Sequence, residues 1–116
     1  MHYVLLAYGD QQQLDAMPSS EREALMNACQ ANDAALRESG RLLAVEGLPS
    51  NSTATTIRYQ QGQLSISVGA LAATREQLIG IFTISARDLN EAIQVAAAMP
   101  QARGGPIEVR PLATLD

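Results

Sequence analysis

An α+β fold, with an antiparallel sheet carrying two helices on one face, is predicted by three observations. The elements run strand, helix, strand, hairpin strands, helix, strand. Two helical segments open on capping signals, and no composition break, repeat or low-complexity stretch divides the 116 residues, so residues 1–116 are read as a single domain. Two β-α-β units in tandem, with strand material between them, match the ferredoxin-like arrangement. That arrangement leaves one sheet face uncovered. A second identical sheet is the economical cover, as in a dimeric α/β barrel, so a homodimer is expected.

Tyr3 to Tyr8 is a near-continuous apolar run closed by Gly9-Asp10, the pattern of a central strand buried on both faces. Beyond the polar Gln11-Gln12-Gln13 and Pro18, Ser20-Glu21-Arg22-Glu23 reads as a capping box that starts a helix. That helix carries Leu25, Cys29 and Leu36 at helical spacing and stops at Gly40, where a glycine adopts the left-handed C-cap conformation. Leu42 to Leu48 is a second strand, and Pro49-Ser50-Asn51-Ser52 a loop. Thr53–Tyr59 and Leu64–Val68 form a hairpin around a turn containing Gly62, and strict alternation in the second arm predicts one buried and one wet face. Gln77 to Ser85 is the most apolar strand and is placed mid-sheet. Asp88 caps a second helix, with Ala92, Ile93, Ala96 and Met99 on one face until Pro100 ends it. Pro106 to Pro111 is the last strand.

Composition narrows the chemistry. The apolar fraction of 47% contains one Phe and no Trp, so the core is aliphatic. A net charge of -4, with eight scattered arginines, gives no electrostatic footprint for DNA or RNA. The absence of lysine excludes a Schiff-base or P-loop lysine. With His2 and Cys29 the sole histidine and cysteine, one subunit cannot assemble a disulfide, a zinc shell or a Ser-His or Cys-His pair, so no metal site and no cofactor are expected. The apolar run at the N-terminus is too short for a membrane span or a signal peptide, which predicts a soluble cytoplasmic protein without membrane association.

Val68-Gly69-Ala70-Leu71-Ala72-Ala73-Thr74-Arg75-Glu76, together with Gly105-Pro106-Ile107-Glu108-Val109-Arg110-Pro111, resembles the YCII-related proteins of the DGPF type. The family signature usually reads Asp-Gly-Pro-Phe-Ala-Glu-Thr-Lys-Glu. Gly69 and the Thr74-Arg75-Glu76 frame are kept, whereas Val68, Ala70 and Leu71 replace the acid, the proline and the aromatic. The resemblance extends from Tyr3–Asp10 through Thr53–Arg58 to Ile107–Pro111, nearly the whole chain. It implies a ferredoxin-like dimer with a cleft between or beside the sheets. Members are mostly uncharacterised, some relatives resemble muconolactone isomerase and dehalogenating enzymes, and many are encoded beside extracytoplasmic-function sigma factors. Val68 cannot accept a proton, so the chemistry of the motif acid is missing here.

Alternation puts Ile107 and Val109 on one face of the last strand and Glu108 and Arg110 on the other. Charges on a covered face need partners, and Arg58 or Glu46 are the candidates; a salt-bridge network fixing dimer register and a ligand pocket are both open. Tyr8 and Asp10 end the first strand, where such a sheet opens toward a cleft. Asp10 is either a general base or a turn residue. Arg58 and Arg110 are expected to form a positive floor for a small organic acid. Three functions stay open: a small-molecule-binding or accessory homodimer without clear catalytic machinery, an isomerase, lyase or dehalogenase moving a proton through Asp10 or Glu108, and, on family association alone, a regulatory partner of a sigma factor.

Overall fold

The apolar run that opens the chain becomes the inner strand β1 (His2–Asp10) of a four-stranded antiparallel sheet, in a computed structural model that describes residues 1–113. It is followed by α1 (Gln11–Ala16), α2 (Ser19–Glu38), β2 (Leu42–Gly47), β3 (Thr55–Gln60), β4 (Gln63–Val68), β5 (Glu76–Ser85), α3 (Leu89–Ala98) and β6 (Ile107–Pro111). The sheet order is β2-β5-β1-β6, with every neighbour antiparallel. Two interleaved β-α-β halves give this order, so the fold is ferredoxin-like α+β. The hairpin β3–β4 forms a separate two-stranded sheet.

The pleat sorts β1 residue by residue. Tyr3, Leu5 and Ala7 point to the helix side and are buried with Leu42, Phe82 and Ile84 from the neighbouring strands. Ala92, Val95, Ala96 and Met99 of α3 close over them, and Leu36 of α2 packs at the margin. The alternate residues Val4, Leu6 and Tyr8 are only half-buried, so the strand expected to be buried on both faces is fully covered on one. On α3 the inward stripe includes Val95, whereas Ile93, expected on that face, is exposed. Burial of one such aliphatic side chain is worth about 2 kcal/mol, which makes the helix-side layer the main source of stability.

Three local features depart from the expectations. Gln11–Ala16 is helical rather than a polar connection: Asp10 accepts a hydrogen bond from the Gln12 amide at 3.0 Å and caps it. The next helix begins at Ser19, behind Pro18 and without a side-chain cap, so the Ser20–Glu23 capping box does not form. Arg22 instead donates to the carbonyls of Leu14, Asp15 and Met17 and satisfies the exposed end of α1. Finally, both faces of the hairpin are almost wholly exposed, so the face expected to be buried is uncovered within one chain.

Other signals operate as expected. Gly40 has φ +79 and follows α2, where the Arg41 amide donates to Leu36 O at 2.9 Å. Asp88 caps α3 by accepting from the Glu91 amide at 2.9 Å. Gln61 and Gly62, both at positive φ, form the two-residue turn between β3 and β4. Among the described residues no helix is long and apolar enough to cross a membrane.

Candidate functional site

A β-bulge sets up the site. Between Ala7 and Tyr8 the β1–β5 register slips, so Tyr8 lies opposite Leu78 while Ile79 is left over and presses against Gly9 and Leu14 on the helix side. Alternation along β1 puts Tyr8, like Val4 and Leu6, on the open face of the sheet, and the bulge in β5 brings Leu78 beside it. There Tyr8 lines a cleft of about 570 Å³ between the sheet and the base of the hairpin, with Leu48, Ala54, Thr55, Leu71 and Leu78 among its walls.

The base of the hairpin is closed by hydrogen bonds that fix the cleft wall. The Gly69 amide donates to Ala54 O at 2.7 Å, and the Thr56 hydroxyl donates to Gly69 O at 2.8 Å. Gly69 has φ +112, a conformation other residues adopt only with strain. The following loop is held by Gln77, whose amide donates to Ala72 O and Thr74 O, while the Thr74 hydroxyl donates to Glu76 O. The signature-like segment is therefore a scaffold for the wall. Gln77 was not singled out in the sequence, because one amide at a strand start carries no spacing signal.

Strand β6 supplies the polar side. Ile107 and Val109 pack on the core, while Glu108 and Arg110 project from the opposite face beside Leu6 and Val4. The Tyr8 hydroxyl donates to Glu108 Oε1 at 3.2 Å across 100 residues of sequence. Burial, and secondarily the hydrogen bond and charge of Glu108, raise the Tyr8 pKa above its ordinary value, with Arg110 acting the other way. Tyr8 and Glu108 are thus joined by a hydrogen bond, with Arg110 two residues along β6 on the same face.

The remaining candidates lie apart. Arg58 is on β3, opposite Ser65, in the hairpin's own sheet. Glu46 is on β2, at the opposite edge of the main sheet from β6, about 14 Å away at ordinary strand spacing. Neither is paired with Glu108 or Arg110: among the described residues the salt bridges are Arg75–Asp10 at 4.0 Å and Arg87–Glu91 at 2.6 Å. Asp10 is engaged as the cap of α1 and faces Arg75, which favours its structural reading over that of a general base.

Cys29 is half-buried in a separate apolar cleft of about 270 Å³ beneath α2, lined also by Leu14, Leu25, Met26 and Ile79. Burial, with Asp33 nearby, pushes its thiol pKa up and keeps it protonated. Among the described residues no three His, Cys, Asp or Glu side chains converge as a metal site would require.

The raised tyrosine has a testable pH signature. The folded protein holds the Tyr8 proton more tightly than the unfolded chain, so its contribution to stability is present below the ordinary tyrosine value and is lost as pH rises through the folded one. The melting temperature of the wild type is expected to fall more steeply above pH 10 than that of Tyr8→Phe. Superimposable alkaline profiles would show that Tyr8 is not coupled to Glu108.

Two comparisons agree with this architecture. A family model, the YCII-related domain, matches residues 1–116. The chain is also similar to the uncharacterised protein R00369 of Rhizobium meliloti (strain 1021), with 34% identity over 115 residues, covering 97% of this chain and 93% of that protein. A match that runs the length of the fold, from the inner strand β1 to the edge strand β6 that carries Glu108 and Arg110, shows that the chain belongs to the YCII-related family.

Proposed function

We propose that the protein is a small-molecule-binding homodimer of the DGPF type, whose ligand is a small organic acid held on the open face of the sheet at Tyr8, Glu108 and Arg110. One observation carries the reading: Tyr8 lines the cleft of about 570 Å³ and its hydroxyl is bonded to Glu108, with Arg110 close enough to act on it electrostatically. The guanidinium is a permanent cation suited to a carboxylate, and Glu108 is an acceptor for a hydroxyl or amine on the same ligand. The cleft wall adds the apolar surface of Leu48, Leu71 and Leu78. The Gly69 and Thr74-Arg75-Glu76 frame, which shapes that wall, supports the DGPF assignment.

A second reading rests on the Tyr8–Glu108 bond itself. A tyrosine whose proton is held above its ordinary value, bonded to a carboxylate, is a unit through which a proton can pass to or from a bound acid, as an isomerase or lyase needs.

A thermal-shift screen of small organic acids tests the binding reading. At least one acid is expected to raise the melting temperature of the wild type by several degrees, with the shift lost in Arg110→Ala and reduced in Tyr8→Phe. Arg58→Ala, changed in the separate hairpin, is expected to keep the response. An undiminished response in Arg110→Ala would retire the site. For the second reading, solvent-deuterium exchange into the same acid should be catalysed by the wild type and abolished by Glu108→Gln.

A further inference from the structure

We infer that the β3–β4 hairpin is an arm that docks through one apolar face onto a second copy of this chain. Alternation and register put Ile57 opposite Ile66, Tyr59 opposite Leu64 and Val68 opposite Thr55, all on one side of the ribbon. The other side carries Thr56, Arg58, Ser65 and Ser67. The apolar side is the exposed one in the extreme: Ile57 is 62% exposed, Ile66 64%, Tyr59 76% and Val68 88%. A two-stranded hairpin is at best marginally stable in water, and a continuous stripe of large apolar side chains on it calls for a cover.

The size of the uncovered surface points to a copy of the same chain. A compact protein of this mass exposes about 6,100 Å², whereas this chain exposes 8110 Å². The surplus of about 2,000 Å² per chain corresponds to roughly 4,000 Å² hidden by a pair, within the range of obligate homodimers. The radius of gyration of 16.2 Å also exceeds the value of about 13 Å for a compact chain of this length. The molecule is a slab of 47 × 47 × 19 Å. A second copy covers both deficits at once, because the open sheet face offers half-buried Val4, Leu6, Leu78 and Ile81 as a complementary apolar surface. The stripe itself bears no charge, and the apolar part of the open face lies on β1 and β5, inward of the edge strand β6 that carries Glu108 and Arg110. Arg58, on the outer side of the ribbon, stays in water.

This inference rests on the homodimer proposed above and adds the element that builds it. Sedimentation velocity at micromolar concentration is the test, on the wild type, on Ile57→Glu/Ile66→Glu, and on Arg58→Glu/Ser65→Glu as a matched change on the polar side. The wild type and the polar-side variant are expected to be dimers, and the stripe variant a folded monomer, its dimer weakened at least 100-fold. A stripe variant that dimerises like the wild type overturns the arm and leaves the homodimer standing. A monomeric wild type overturns both. A dimer that responds to no organic acid leaves the arm intact and removes only the ligand.

Should the stripe variant fail to fold, thiol labelling in a Cys29→Ser background decides the matter with milder changes. Ile66→Cys is expected to react more slowly as protein concentration rises, while Ser65→Cys reacts at a constant rate. Equal, concentration-independent rates at the two positions overturn the proposal.

Discussion

Gly105→Ala is expected to destabilise the protein by about 3 kcal/mol and to break the bond between Tyr8 and Glu108. A β-carbon at Gly105 would be driven onto the carbonyl oxygen of Tyr8, and would sit 2.9 Å from its carbonyl carbon and 3.3 Å from Gly9 Cα. All three neighbours are backbone, so none can rotate away. Just beyond, the Tyr8 amide donates to Pro106 O at 3.0 Å, the contact that brings the chain onto β1 at the start of β6. Relief requires β6 to lift from β1, and Glu108 moves with it. Gly104→Ala is the control, since its β-carbon meets only Gln101 O, at an ordinary 3.7 Å. Denaturant unfolding checks the prediction: equal stabilities of the two variants would refute the close approach, and loss of the alkaline signature of Tyr8 in Gly105→Ala alone would confirm its reach into the site.

Leu5→Ala and Leu6→Ala are adjacent changes whose losses are expected to differ in size and in their dependence on protein concentration. Leu5 is completely buried between sheet and helices. Its truncation leaves a cavity walled by a rigid sheet, and a loss of about 3 kcal/mol is expected, or a fall in melting temperature of roughly 15 °C. Leu6 points to the other face and is half-buried within one chain. Its truncation is expected to cost about 1 kcal/mol in the monomer, with a further loss that grows with protein concentration if a second copy covers that face. Melting curves at several concentrations separate the two effects. Identical, concentration-independent losses would mean that the open face is not covered.

The fold was legible because its signals are local and repeated. The apolar run Tyr3–Tyr8, the Asp88 cap, Gly40 after α2 and the Gln61-Gly62 turn each act where they stand in the chain. The alternation of Ile107, Glu108, Val109 and Arg110 placed the charged pair correctly on the open face. Contacts between distant strands were less accessible. Tyr8 and Glu108 stand as separate candidates in the sequence, and the bond between them follows from the β1–β6 register, in which Glu108 faces Leu6 and lies diagonally from Tyr8, a pairing that no spacing rule announces. Arg58 and Arg110 do not share a floor, because the hairpin that carries Arg58 forms a sheet of its own, and the sequence does not mark which strands a hairpin pairs with. The short helix α1 escaped notice because six residues with Leu14 as the one leucine carry no amphipathic period. The Ser20 capping box failed because Arg22 and Pro18 had already fixed how the two helices meet.

The hairpin closes at its base, where Gly69 meets Ala54, and two strands alone are the less stable part of such a molecule. Every strand-to-strand contact of the arm joins residues close in sequence, so it can zip and fray in microseconds while the four-stranded sheet, whose strands are joined across distant parts of the chain, stays closed. Opening the arm breaks no ladder bond between β5 and β1. Such a unit inserted between β2 and β5 shares no ladder with the sheet, so its length can vary without breaking a strand pairing of the scaffold that holds Tyr8 and Glu108.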